Sequence, residues 1–307
     1  MLALLLLALV CFTQLKATQI KTSFPPVGDF IEVDGMKVHY IDINKGGNDD
    51  VALVFLHGAS GNLRDANFVY RDKLQDVGRM IFFDRPGHGW SERKSDTLGT
   101  VKGQVAHTIK LLDALGIKKA IFVGHSWGGV LALSIGVSYP DRVAGLILNA
   151  TVAYPWPGGI NWYYPIAAMP VIGALFSHTL VMPVGLRQVK CATAKVFWPD
   201  PIPENYDRDV GTDMVLVPER FRANAEDIAN LRAHVEACSP HYPEITAPVV
   251  VINGKKDQVV LPWVHAEQLG RTLSDVKVVD LPNSGHMPHH AHVDVMRDVA
   301  TGLLEKA

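Results

Sequence analysis

Ser126 stands in Gly124-His125-Ser126-Trp127-Gly128, after the apolar run "AIFV" and before "VLAL", which continues with helical spacing. A serine hydroxyl is a weak nucleophile until a base takes its proton, and that base must be oriented by an acid. Two downstream residues answer the demand. Asp257 follows the run "PVVVING", and His286 follows "VKVVDLP" within "NSGH". Serine, acid and histidine come in the chain order expected when the serine sits on a strand-to-helix elbow. The chemistry would be acyl transfer, with attack on a carbonyl and later release of the acid by water. Such a reaction needs donors for the developing oxyanion. The backbone N–H of Trp127, next to the nucleophile, is one candidate, and that of Ala59 in "HGASGN", after the run "VALVFL", is the other.

These residues require a sheet whose strand ends converge. From about residue 30 short β-type runs alternate with helical patterns, the signature of a doubly wound α/β architecture. "MKVHYIDI", "VALVFLHG", "RMIFFDRPG", "KKAIFVGHS" and "VAGLILNA" read as strands. Their continuous apolar centres imply burial on both faces, hence a mainly parallel sheet. "TVKGQVAHTIKLLDALG" carries apolar residues at helical spacing and closes on Gly116. A last β-α-β-α stretch starts at "APVVVINGKKD" and ends in "VDVMRDVATGLLEK".

Residues 151–238 break the rhythm. The segment opens with the aromatic, proline- and glycine-rich "YPWPGGINWYYP" and reads as a helical insertion between the core segments 28–150 and 239–307. Pro165, Pro170 and Pro183 should cut its apolar part into pieces too short to cross a membrane.

The 307-residue chain is 48% hydrophobic, with 29 basic residues against 31 acidic, so it offers no basic footprint for nucleic acid. "MLALLLLALVCF" suits the apolar part of a signal peptide covering residues 1–17, although no Lys or Arg precedes it and Leu15 occupies a position where a small residue is preferred. Export to the periplasm or medium is the expectation, with an uncleaved membrane-proximal anchor as the alternative. On either reading the run is not an element of the fold. Cys191 and Cys238 fall in the insertion and would pair or remain separate thiols.

Two further motifs read as structural. "DRPGHGWSER" is a rigid turn in which Asp84 accepts from backbone amides and His88 has no chemical task. In "HMPHHAH", His289, His290 and His292 read as surface or packing residues, because no carboxylate lies nearby in sequence to complete a metal site.

"HGASGN", "DRPGHGWS", "GHSWGG", "INGKKD" and "SGH", in this order and spacing, resemble the capped branch of the α/β-hydrolase superfamily, over roughly residues 28–307. The branch includes esterases, cofactor-free haloperoxidases, carbon–carbon bond hydrolases, epoxide hydrolases and haloalkane dehalogenases. The resemblance implies a helical cap at 151–238, with the site between cap and sheet. Epoxide hydrolases and dehalogenases carry aspartate where this chain has Ser126, so their alkyl-enzyme chemistry is disfavoured. Cleavage of a carboxylic ester, lactone or thioester with an apolar portion is the leading expectation, with no cofactor and no metal. Perhydrolysis and carbon–carbon bond hydrolysis use the same three residues and are the alternatives; a non-catalytic binding protein is the remaining one. Trp156, Trp162, Tyr163, Met169, Ile172 and Phe176 are candidates for lining an acyl pocket.

Overall fold

A computed structural model describes residues 1–46 and 51–307. In chain order the elements begin with helix α1 (Leu2–Ser23), strands β1 (Asp29–Val33), β2 (Met36–Ile43) and β3 (Val51–Leu56), and helix α2 (Leu63–Tyr70). There follow β4 (Met80–Phe83), α3 (Val101–Ala114), β5 (Lys119–His125), α4 (Trp127–Ser138) and β6 (Val143–Asn149). Helices α5 (Tyr163–Ala168), α6 (Pro170–Phe176), α7 (Met182–Phe197), α8 (Tyr206–Val210) and α9 (Pro218–Cys238) come next. The chain finishes with β7 (Val249–Gly254), α10 (Ala266–Thr272), β8 (Val276–Leu281), α11 (Pro288–Ala291) and α12 (Val293–Leu304).

The eight strands form one sheet in the order β1-β2-β4-β3-β5-β6-β7-β8. Pairing is parallel from β4 through β8, and β1 and β2 run antiparallel at one edge. Strand β1, absent from the expected set, pairs with β2 through a two-residue turn at Asp34-Gly35, both at positive φ. That is the backbone a tight hairpin needs. The central strands alternate between the two faces, as their pleat requires. Val54, Leu56 and Phe122 pack under α3 and α4 on one side. Leu53, Phe55, Ile121 and Val123 face α2 and α12 on the other. Burial on both faces explains why these strands are continuous apolar runs.

The insertion between β6 and β7 is helical, as expected, and Pro170 separates α5 from α6, but the proline rule fails at Pro183. Residues 170–197 form one continuous helical stretch of 28 residues. A π turn at Ser177–Val181 immediately precedes Pro183 in the first turn of α7. A wider turn relieves the clash between a proline ring and the preceding carbonyls, and the missing N–H falls where the regular ladder is already interrupted.

The N-terminal apolar run forms the start of a longer helix. Helix α1 continues to Ser23, and its second half is part of the fold: Ala17 and Ile20 pack with Val181, Met182, Met214, Leu216 and Val217 of the insertion. Cys11, Cys191 and Cys238 are free thiols.

Candidate active site

Ser126 is the residue between β5 and α4, at φ +52° and ψ −116°. This is a strained conformation for a residue with a side chain. It persists because the surroundings leave no alternative. A Cβ on Gly124 would lie 2.6 Å from the Cα of Gly129, and one on Gly128 would lie 2.0 Å from the carbonyl oxygen of Leu56. Only glycine lets α4 pack this closely on β3 and β5. Trp127 is the first residue of α4, so its N–H has no acceptor within the helix.

Asp257 follows β7 and His286 follows β8, and the folded chain joins them. His286 Nδ1 donates to Asp257 Oδ2 at 2.8 Å. The other carboxylate oxygen accepts the amides of Val259 and Val260 at 2.7 and 2.9 Å, which locks the acid in its turn. With its proton on Nδ1, the imidazole keeps Nε2 free to take another proton. All three side chains are buried. His125, beside Ser126, donates from Nε2 to the backbone oxygen of His286 at 2.9 Å. Burial, reinforced by His289 and His286, holds the His125 pKa well below the usual imidazole range, so its ring is neutral.

The loop carrying Ala59 lies against the same point, since a Cβ on Gly58 would come 3.2 Å from Ser126 Cβ. A buried cation organises it. Arg85, from "DRPGHG", donates to the carbonyl oxygens of His57 and Gly58 at 3.1 and 3.2 Å. Its guanidinium stacks 3.9 Å over the Trp127 ring and pairs with Asp227 Oδ2 of α9 at 2.5 Å. His57 accepts the Arg85 amide at Nε2 and donates from Nδ1 to Gly58 O. Burial, then the Arg85 charge, holds its pKa well below normal and keeps it neutral. In a trans peptide the C=O and the following N–H point oppositely. Holding Gly58 O toward Arg85 therefore turns the Ala59 N–H away from Arg85. Asp84 plays the part expected of it, accepting from the amides of Leu63 and Trp90 at 2.7 and 2.8 Å and pairing with His39.

The insertion holds two of these loops through residues that sequence reasoning missed. Asn224 of α9 accepts the Ser60 amide at 2.6 Å and donates to Ser60 Oγ at 3.1 Å. Asp200 accepts from Ser284 Oγ and the Gly285 amide at 2.7 and 2.9 Å, just ahead of His286. Neither advertises itself: Asn224 looks like a solvated position on a polar helix, and Asp200, in "PDP", like an ordinary turn residue. His265 is a third case. Its Nδ1 accepts the amides of Ala153 and Tyr154, both at 3.2 Å, where the chain enters the insertion.

The candidate pocket residues do not share one environment. Trp156 is half-buried and faces His265, the Tyr163 ring lies tilted against that of Tyr164 with centroids 4.5 Å apart, and Phe176 is half-buried in the insertion's own core. Trp162, Met169 and Ile172 are exposed. His289 and His290 are packing residues, and His292 is half-buried at the start of α12. The carboxylate missing from the local sequence is supplied by Asp65 of α2. Asp65 Oδ1 accepts from Tyr206 OH at 2.7 Å and His290 Nε2 at 2.9 Å, and Oδ2 lies 3.5 Å from His289 Nε2. Against the effect of burial, these imidazoles hold its pKa well below the carboxylate range.

Residues 53–299 match the family described as "Alpha/beta hydrolase family". The 2-hydroxy-6-oxononadienedioate/2-hydroxy-6-oxononatrienedioate hydrolase of Comamonas testosteroni is 29% identical over 291 residues, covering 89% of this chain and 94% of its own. Among solved structures, the enol-lactonase from Burkholderia xenovorans superposes with a TM-score of 0.71 at 21% identity, covering 90% of this chain and all of that one. A membrane phospholipase A superposes at 0.70 and 19% identity, covering 97% of this chain and 92% of its own.

Proposed function

This chain belongs to the alpha/beta hydrolase family, and from that premise we propose that it is a serine hydrolase that cleaves a carboxylic ester, lactone or thioester through an acyl-enzyme. The observation that supports this reading is that a strained, glycine-flanked Ser126 and an Asp257-oriented His286 both follow C-terminal ends of strands in one parallel sheet. In the proposed mechanism Ser126 Oγ attacks the carbonyl carbon as His286 Nε2 takes its proton, and the carbonyl oxygen becomes an oxyanion. The N–H groups of Ala59 and Trp127 stabilise that charge, each worth on the order of 10² to 10³ in rate. His286 then returns the proton to the leaving group, and water activated by the same imidazole releases the acid. Asp257 stays ionised and holds the imidazole in its Nδ1–H form. Helices α5 to α9 act as the cap, and its contacts from Asn224 and Asp200 set the two loops that hold Ala59 and His286.

The test is covalent labelling of folded protein with a fluorophosphonate. An adduct on Ser126, and loss of ester turnover in Ser126→Ala, are expected; no adduct, or unchanged turnover in the variant, sinks the proposal. A carbon–carbon bond hydrolase is the second reading, favoured by the Comamonas relative's match along nearly its whole length. Turnover of a vinylogous 1,5-diketone dienoate, set beside esters and lactones of graded size, separates the two.

A further inference from the structure

We propose that α1 remains attached as a membrane anchor and that the exposed apolar face of the insertion beside it rests on the lipid bilayer, so that substrate reaches Ser126 from the membrane. The last clause rests on the serine-hydrolase reading; the docking itself does not.

Helix α1 divides into two parts. Its first eleven residues, Leu2–Phe12, are uniformly apolar, and Leu2, Leu4 and Leu7 are 72%, 72% and 60% exposed. Its second half is built into the protein. Ala17 and Ile20 complete an apolar cluster with α7 and the 212–217 segment, Gln14 Nε2 lies 3.0 Å from His178 Nδ1, and Lys21 pairs with Glu219 of α9 at 2.5 Å. Cleavage after residue 17 would remove Ala17 and uncover Val181, Met182 and their neighbours. A segment so packed is a structural element, unlike a leader to be discarded. The membrane phospholipase A superposition agrees at the level of fold: it covers 97% of the 307 residues, leaving about nine outside, fewer than the 22 of α1.

Leu2–Phe12 extend for about 17 Å at 1.5 Å per residue, with Leu6, Leu9 and Val10 half-buried and the other side chains exposed. Because the second half of α1 is packed on the insertion, a bilayer that takes up this apolar part must lie close to the protein body beside it. The surface there is apolar. Val171, Ile172, Leu175, Leu180 and Val184, on the 170–197 stretch whose Val181 and Met182 pack with α1, are 46% to 80% exposed, and Trp162, its ring 6.4 Å from that of Phe176 on the same stretch, is 71% exposed. Leu180 sits two residues from His178, the partner of Gln14. Lys16, half-buried beside the packed stripe of α1 just past the apolar run, suits the headgroup layer, where a lysine keeps its stem in apolar surroundings and its ammonium in water. Trp162, an amphipathic ring at the rim, suits the same layer. A protruding apolar rod beside an apolar face fits a deep apolar phase better than the flat surface of a second copy. The same insertion carries Asn224 and Asp200, so the face that meets lipid belongs to the body that braces both loops at the site.

The experiment uses the full chain reconstituted with phosphatidylcholine vesicles whose acyl chains are brominated, compared with unbrominated vesicles. Helix α1 has no tryptophan, so quenching of tryptophan emission reports the body rather than the anchor. Quenching in the wild type that drops clearly in Trp162→Phe is expected. No quenching, equal quenching in both proteins, or a Trp162 shielded from lipid in a stable dimer overturns the docking. A second measurement tests delivery. Val171→Asp/Leu175→Asp should lower turnover of a long-chain ester in vesicles by about tenfold or more, because the charges oppose insertion of the face. Hydrolysis of a dissolved short-chain ester should be unchanged, and equal effects on both substrates overturn delivery from the membrane. If the wild type hydrolyses neither ester and takes no fluorophosphonate, the hydrolase reading fails while the quenching still decides the docking.

Discussion

Arg85 and Asp227 form a fully buried ion pair at 2.5 Å that joins the turn after β4 to helix α9, 142 residues later. The pair is shared. Asp227 Oδ1 also accepts from Arg93 at 3.0 Å and Gln104 at 2.9 Å, while Arg85 reaches back to the carbonyls of His57 and Gly58. Removing one member leaves the other charge buried without its counterion, which typically costs about 3 to 5 kcal/mol. Asp227→Ala should therefore lose stability on that scale in urea denaturation. The double variant Arg85→Met/Asp227→Leu should recover much of the stability but not kcat, since the loop before Ala59 stays unbraced. Full recovery of kcat would show that Arg85 has no positioning role.

Asp257→Asn keeps an acceptor for the amides of Val259 and Val260 but can present its NH₂ to His286, favouring the wrong tautomer. A loss of about 10⁴ in kcat with KM nearly constant is expected. Steady-state kinetics on any accepted ester checks it, and a loss below tenfold would remove Asp257 from the proposed triad.

Asn224→Ala deletes both contacts to Ser60 and leaves a part-buried amide without its acceptor, where a fully buried one costs about 1 to 3 kcal/mol. Water can reach the part-buried Ser60 amide, so the stability cost lies at the lower end of that range, about 1 kcal/mol; because Ser60 follows the proposed oxyanion donor, kcat should fall more than KM rises. Slower fluorophosphonate labelling, with Ser126 still labelled to completion, is the accompanying signature; an unchanged rate would confine Asn224 to a structural role.

Burial pushes the pKa of both His265 and His289 down to about 4. The unfolded chain takes up these protons near pH 6.5, whereas the folded chain does not until about pH 4. Their contribution is therefore fully present above pH 6.5 and is lost as the pH falls from there to 4, by about 1.4 kcal/mol per pH unit for each residue. For His265 the geometry gives the same sign, because only a neutral ring accepts amides at Nδ1. Thermal unfolding between pH 7 and 5 should show a steep drop in Tm that is shallower in His265→Asn. Parallel profiles for the two proteins would contradict this account.

The candidate triad was legible because each member directly follows an apolar run that reads as a buried strand, so local sequence alone puts all three at one sheet edge. The braces were not. Arg85 meets Asp227, Asn224 meets Ser60 and Asp200 meets Ser284 across 142, 164 and 84 residues, and on their own helices or turns these polar side chains have the pattern of solvated ones. Asp65 shows the same limit: His289 and His290 read as surface or packing residues because nothing local says that α2 supplies them a carboxylate. For α1 the composition of its first half led the reading toward a leader, and nothing local showed that Ala17 and Ile20, beyond the apolar run, pack against the insertion. Pro183 misled in another way, since the propensity rule is sound and the preceding π turn evades it.

The strand order β3-β5-β6-β7-β8 has a kinetic meaning as well. Ser126 is presented once β5 is paired on β3, but His286 arrives only after β8 has added to β7, 160 residues later in the chain. The β7–β8 pair can add only where β7 has paired with β6 across 103 residues, from Leu146 to Val249, and parallel pairings of such range form late because each closes a large loop before it is rewarded. On the proposed mechanism, a partly folded intermediate therefore exposes the serine without its base. In a refolding experiment, regain of activity would time the docking of the last strand, while fluorescence from Trp127 would time the elbow.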